Sequence, residues 1–279
     1  MVVAFPDKEK AEKRVPIEDI GIIILENPQI TFTNGLIMKL VQNKAAIVKC
    51  DSQHLPCTIL QPLVGHSEQS MRFRKQLSSS LPLKKNLWQQ TVSAKIRNQA
   101  KHLEKRGKND KKLLRWAREV KSGDAENHEA TAAVYYWQNL FEFKGFSRYR
   151  HGMPLNNLLN YGYAILRAVT ARAIISSGML PAVGIFHHNK YNAFCLADDM
   201  MEPYRVFVDD LVFDLVKSGI EMENLNIDLK SKLLQIPVLD VILANRLSPL
   251  LVAMSGTTSS LYHCFEGSSR LIEYPEFPG

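Results

Sequence analysis

The sequence predicts an α+β protein, with a small N-terminal β-rich domain over residues 1–65 and a larger all-α domain over residues 66–279. Three observations carry this expectation. Short apolar runs separated by turn residues fill the first part. Beyond it the spacing changes to the 3.6-residue period of helices. Glycines 107, 123, 178 and 219 then stand where those helices should stop. At 279 residues and 46% hydrophobic content, the chain has ample apolar material for a real core.

In chain order, strands are expected at V-V-A-F, at 20–25, 30–33 and 45–50, and at 58–63. Asn27-Pro28, Asn34-Gly35 and the polar stretch around Asp51 to Gln53 supply the turns between them. Leu36, Leu40 and Val41 have helical spacing, so a short helix over 35–43 should join two strands. Helices follow at 68–79, 84–106, 109–121, 127–142, 155–177, 200–217 and 237–253, and Y-P-E-F-P-G reads as a loose tail.

Several function classes are excluded at this point. Arg167 and Arg172 interrupt the apolar stretch 163–186, and Asp240, Arg246 and Pro249 interrupt 237–253, so no membrane span is expected. The N-terminus has no secretory pattern, and four cysteines are too few for a disulfide scaffold; a cytoplasmic protein is expected. Cys50, His54 and Cys57 lack a local fourth ligand for zinc.

The formal charge of +7 is concentrated in one segment. Thirteen basic and three acidic residues lie between Lys84 and Lys121, an excess larger than that of the whole chain. Such a segment suits a polyanion, although a charge run is also what a solvated helical face looks like. Trp88, Trp116 and their leucine neighbours place an apolar side on these helices, with Lys and Arg outside.

Three phrases carry candidate chemistry: G-D-A-E-N-H-E-A-T-A-A-V-Y-Y-W (123–137), G-I-F-H-H-N (184–189) and L-A-D-D-M-M-E-P-Y-R (196–205). Glu129 falls in the first turn of a helix that Asp124 or Asn127 can cap; taken alone, an acid there merely complements the helix dipole. His187 ends an apolar run at the start of a polar loop, with His188 the bystander of the pair. Glu202 opens a helix in which Pro203 is tolerated, and Asp198 and Asp199 read as caps or supporting acids. Two carboxylates and an imidazole suit magnesium or manganese better than the thiolate sets that favour zinc. A cation there would neutralise a phosphodiester, with Arg148 and Arg150 as flanking positive charge.

Taken in order, these phrases, together with I-E-D-I-G-I-I-I-L-E (17–26) and L-N-N-L-L-N-Y-G-Y-A-I-L (155–166), resemble the CRISPR-associated integrase, the metal-dependent DNA endonuclease of spacer acquisition, in its type II version. The resemblance spans essentially the whole chain. It implies that the helical domain is catalytic and that Glu129, His187 and Glu202 hold Mg2+ or Mn2+. It also implies a homodimer, with a small second CRISPR-associated protein bridging two dimers on double-stranded DNA. The implied reaction inserts a short DNA into a repeat array by attack of its 3′-hydroxyl on a phosphodiester. Members usually begin with further strands, so loss of the first strands and weakened dimer contacts are expected. A DNA-binding scaffold without catalysis is the alternative reading of the basic segment. A hydrolase of small phosphorylated metabolites ranks last, because no phosphate-cradling glycine loop is present.

Overall fold

The structure is a computed structural model and describes residues 1–7, 9–51, 56–60, 62–141, 148–149, 154–219 and 225–278. It divides into two compact units, Met1–Ser67 and Glu68–Gly279.

In the first unit, β1 (Val2–Val3) pairs antiparallel with β2 (Lys13–Arg14). A separate sheet has the order β3 (Ile22–Leu25), β4 (Ala46–Cys50), β5 (Pro56–Leu60). Its β3 and β4 run parallel and must be joined by a crossover, which helix α1 (Asn34–Gln42) supplies. The crossover packs Leu36, Ile37 and Leu40 against Ile23, Leu25 and Ile47, closing a small core. The strand expected over 30–33 does not form. Thr33 caps α1 instead, its Oγ1 accepting from the Leu36 N–H at 3.2 Å, and Asn34-Gly35 opens the helix rather than turning a hairpin. Cys50 is buried and Cys57 exposed, and His54 lies outside the described residues.

The second unit is built around two long helices. Helix α2 (Gln69–Leu77) leads into α3 (Leu81–Lys105), which Ser80 caps through the Leu83 N–H and Pro82 opens. Along α3, Leu87, Trp88, Val92, Ile96 and Leu103 recur at helical spacing and are buried. Helices α4 (Lys111–Glu119) and α5 (His128–Leu140) fold back against α3. The second long helix, α6 (Pro154–Ser176), packs against α7 (Cys195–Met201), α8 (Arg205–Lys217) and α9 (Ile227–Leu233). Gly162 permits its approach to α8, since a Cβ there would lie 2.5 Å from Val208 Cγ1.

Two expectations for this unit are corrected. The helix expected over 237–253 is a hairpin, β6 (Asp240–Leu243) and β7 (Arg246–Pro249), followed by α10 (Leu250–Glu266). Ala244 and Asn245 both adopt positive φ, the left-handed two-residue turn that matches the twist of paired strands. The unit is therefore helical with a two-stranded ribbon, not all-α, and the α+β class holds. Nor is the C-terminal stretch loose: Phe277 is fully buried, its N–H donates to Asn98 Oδ1, and Tyr274 hydrogen-bonds Thr91. No helix among the described residues is long and apolar enough to cross a membrane.

Candidate active site

Helices α3, α5 and the α7–α8 junction converge on one pocket, whose lining includes Lys95, Glu129, Arg148, Glu202, Arg205 and Asp209. Glu129 is fixed by the start of α5. Both oxygens of Asp124 accept there, Oδ1 from the His128 N–H at 2.9 Å and Oδ2 from the Glu129 N–H at 3.0 Å. Asn127, the other candidate cap, takes a left-handed φ and makes no side-chain cap. Glu202 stands in a short 3-10 turn, Glu202–Tyr204, which links α7 to α8 and admits Pro203 in its first turn.

The two glutamates meet on a lysine. Lys95 Nζ lies 2.5 Å from Glu129 Oε1 and 2.6 Å from Glu202 Oε2, while Arg205 approaches Glu202 Oε1 at 2.8 Å. Burial alone would raise the Glu202 carboxyl, but Arg205 and Lys95 hold it below the usual range. Burial works against the Lys95 ammonium, and Glu202 with Glu129 overcomes it, so that group is held above the usual range. Glu202 Oε2 is buried, and its partner at this point is the Lys95 ammonium at 2.6 Å.

His187 is positioned separately. Asp199, fully buried, accepts from the N–H groups of Ile185, Phe186 and His187 and from His187 Nδ1 at 2.6 Å. That hydrogen bond raises the imidazole above its ordinary range, against its partial burial. Gly184 makes the wrap possible, since a Cβ there would fall 2.3 Å from the His187 carbonyl oxygen and 2.7 Å from Asp199 Oδ2. Trp88 buttresses the segment, stacking on Phe186 at 4.2 Å and meeting His187 edge-on at 5.7 Å. His188 turns back onto the Phe186 carbonyl.

The structure thus brings Glu129 and Glu202 together and leaves His187 outside the pocket lining, coupled by charge to Glu202. Among the described residues no three His, Cys, Asp or Glu side chains gather closely enough to hold an ion. The carboxylate pair does fit a cation, because its oxygens converge on one point already taken by an ammonium. Arg148 lines the pocket, its guanidinium held by Asn156 at 2.8 Å and Asn160 at 2.6 Å; Arg150 lies outside the described residues. Asp198 is tied to Arg167 and Asn192.

Sequence reasoning missed Lys95, Arg205 and Asp209. Lys95 was one of thirteen basic residues, but its spacing from Trp88, Thr91 and Gln99 marks the buried side of α3. Asp209 sits between the hydroxyls of Tyr136 and Tyr163, and burial raises its pKa to about 7.

Residues 2–238 match the family described as CRISPR associated protein Cas1. The chain belongs to the Cas1 family. It is 44% identical over 208 residues to the CRISPR-associated endonuclease Cas1 of Neisseria meningitidis serogroup C, covering 74% of this chain and 67% of that one. A Pyrobaculum aerophilum CRISPR-associated endonuclease Cas1 is 27% identical over 237 residues, 80% of each chain. Among solved structures, a casposase bound to integration product shares the fold with a TM-score of 0.76 at 21% identity, over 98% of this chain and 86% of that one. A Cas6-RT-Cas1–Cas2 complex shares it at 0.70 and 20% identity, over 96% of this chain and 33% of that one.

Proposed function

We propose that this Cas1 chain is a divalent-metal-dependent DNA endonuclease and integrase that inserts short DNA into a CRISPR repeat array, with Glu129, His187 and Glu202 holding Mg2+ or Mn2+. The observation that carries the reading is the meeting of Glu129 and Glu202, from two separate elements, at one cation position in a pocket walled by Arg148 and Arg205. A bound metal there supplies charge neutralisation at a phosphodiester and a lowered pKa for the attacking hydroxyl.

The chain's own residues do the rest. Arg148, held by two asparagines, and Arg205 present guanidinium groups suited to phosphate oxygens. Asp199 holds His187 through Nδ1, which leaves Nε2 as the imidazole's ligating nitrogen. The exposed basic side chains of α4, Lys111, Lys112, Arg115 and Arg118, offer backbone contacts independent of base sequence.

Double-stranded DNA, a homodimer and a small second CRISPR-associated protein bridging two dimers complete the proposal. The fold shared with a casposase bound to integration product and with a Cas6-RT-Cas1–Cas2 complex supports it. In this reading the catalytic work lies in residues 66–279, within a cytoplasmic assembly. The test is cleavage of an end-labelled duplex in Mn2+, with EDTA as control. Cutting should fall in Glu129→Gln and Glu202→Gln by at least the roughly 10- to 100-fold that loss of a residue supporting a metal ligand costs. Undiminished cutting by both variants would place the site elsewhere.

A further inference from the structure

Lys95 sits where the two carboxylates would take their cation, and its chemistry there has a consequence for metal binding. Its Nζ is 2.5 Å from Glu129 and 2.6 Å from Glu202, and the side chain is buried, so it is a counter-charge that lets two carboxylates approach one another. Without a cation between them they would repel, and one would take up a proton. An ammonium and a divalent ion cannot occupy the same point between the same oxygens.

We propose that Lys95 is a tethered placeholder cation, which holds Glu129 and Glu202 in their binding arrangement and must withdraw before a divalent metal can bind. The structure provides a place to withdraw to. Gln99 lies one turn along α3 on the same face, lines the same pocket, and is buried with its Oε1 accepting no hydrogen bond. A withdrawn ammonium stays within the pocket, beside Arg148 and Arg205, and adds positive charge where a phosphate would enter. The inference rests on the metal-site reading above and adds a residue that competes with the metal rather than binding it.

Binding of Mn2+ alone, measured by the loss of its free-ion electron paramagnetic resonance signal, separates the possibilities without any DNA. Lys95→Met removes the competitor and should bind Mn2+ about tenfold more tightly, the scale of a hydrogen bond to a charged group. Lys95→Arg keeps a cation with a bulkier, more firmly paired head and should bind Mn2+ more weakly than the parent. These opposite shifts are not what a purely structural lysine gives, since both substitutions would then weaken binding or leave it unchanged. Should Lys95→Met fail to fold, Lys95→Ala takes its place with the same expected tightening: Mn2+ affinity no higher than the parent's overturns the placeholder. Equal Mn2+ affinity in all three proteins overturns the placeholder and leaves the metal site standing. Binding by none of them overturns both.

Discussion

At the scale of single residues, Asp199 does more than any other side chain to fix the His187 segment. Four donors converge on its buried carboxylate, three of them backbone N–H groups. Asp199→Asn keeps the shape but turns one acceptor oxygen into a donor facing those groups. It should lower stability by about 1–3 kcal/mol by chemical denaturation and reduce Mn2+-dependent cutting by about 10- to 100-fold. A variant that melts early yet cuts at the parental rate would show that His187 needs no such support. Glu129, His187 and Glu202 are singled out in the sequence by the joint order of their three phrases, which resembles the Cas1 pattern; taken alone, Glu129 reads as an acid that complements a helix dipole. Lys95 was hidden because in a run of exposed cations nothing marks the one that faces inward except its phase on the helix.

At the scale of elements, the site depends on how closely α6 and α8 approach. Gly162→Ala would put a methyl 2.5 Å from Val208 Cγ1 and 3.3 Å from Ile236 Cδ1, so the helices must separate. The intrinsic helix preference of Ala works the other way by about 1 kcal/mol. Overpacking at about 1–3 kcal/mol should win, giving a net loss in urea denaturation; a net gain would mean that the interface yields. Element reading from sequence succeeded where a period ran long and uninterrupted, as in α3 and α6. It failed over 237–253 because V-L-D-V-I-L is short and apolar, which suits a strand or a buried helix equally. Only the left-handed pair Ala244-Asn245 decides for the hairpin. The strand expected over 30–33 failed for a related reason: the β-branched Thr33 serves as a helix cap.

At the scale of the whole molecule, charge sets the pH and salt responses. Asp209 faces Tyr136, Tyr163, Arg205 and Arg148, and burial lifts its pKa from 3.8 to about 7. The folded protein therefore keeps a proton that the unfolded chain releases. The contribution of this group to stability is present in full below about pH 4 and is lost as pH rises through 7, by up to about 4 kcal/mol. Asp209→Asn should flatten the stability profile between those limits, and a parental profile unchanged by the substitution would contradict the assignment. Asp210, next in the chain, acts with the opposite sign. Hydrogen bonds from His102 and Lys105 outweigh its burial and depress its pKa, so its contribution is present above the ordinary carboxylate range and lost as pH falls through acid. For DNA binding, Lys111→Ala, Lys112→Ala and Arg115→Ala together should weaken affinity similarly for unrelated sequences. They should also reduce the salt slope by as much as about 3; an unchanged slope would remove α4 from the interface. The measurement that bears most directly on the metal-site assignment is joining of a labelled 3′-hydroxyl DNA to a repeat-bearing plasmid in Mn2+ or Mg2+, with the second CRISPR-associated protein present. The parent should join, while His187→Ala and Glu202→Ala should bind the DNA without joining it. Joining by both variants at the parental rate, or binding without joining by the parent itself, would contradict the account.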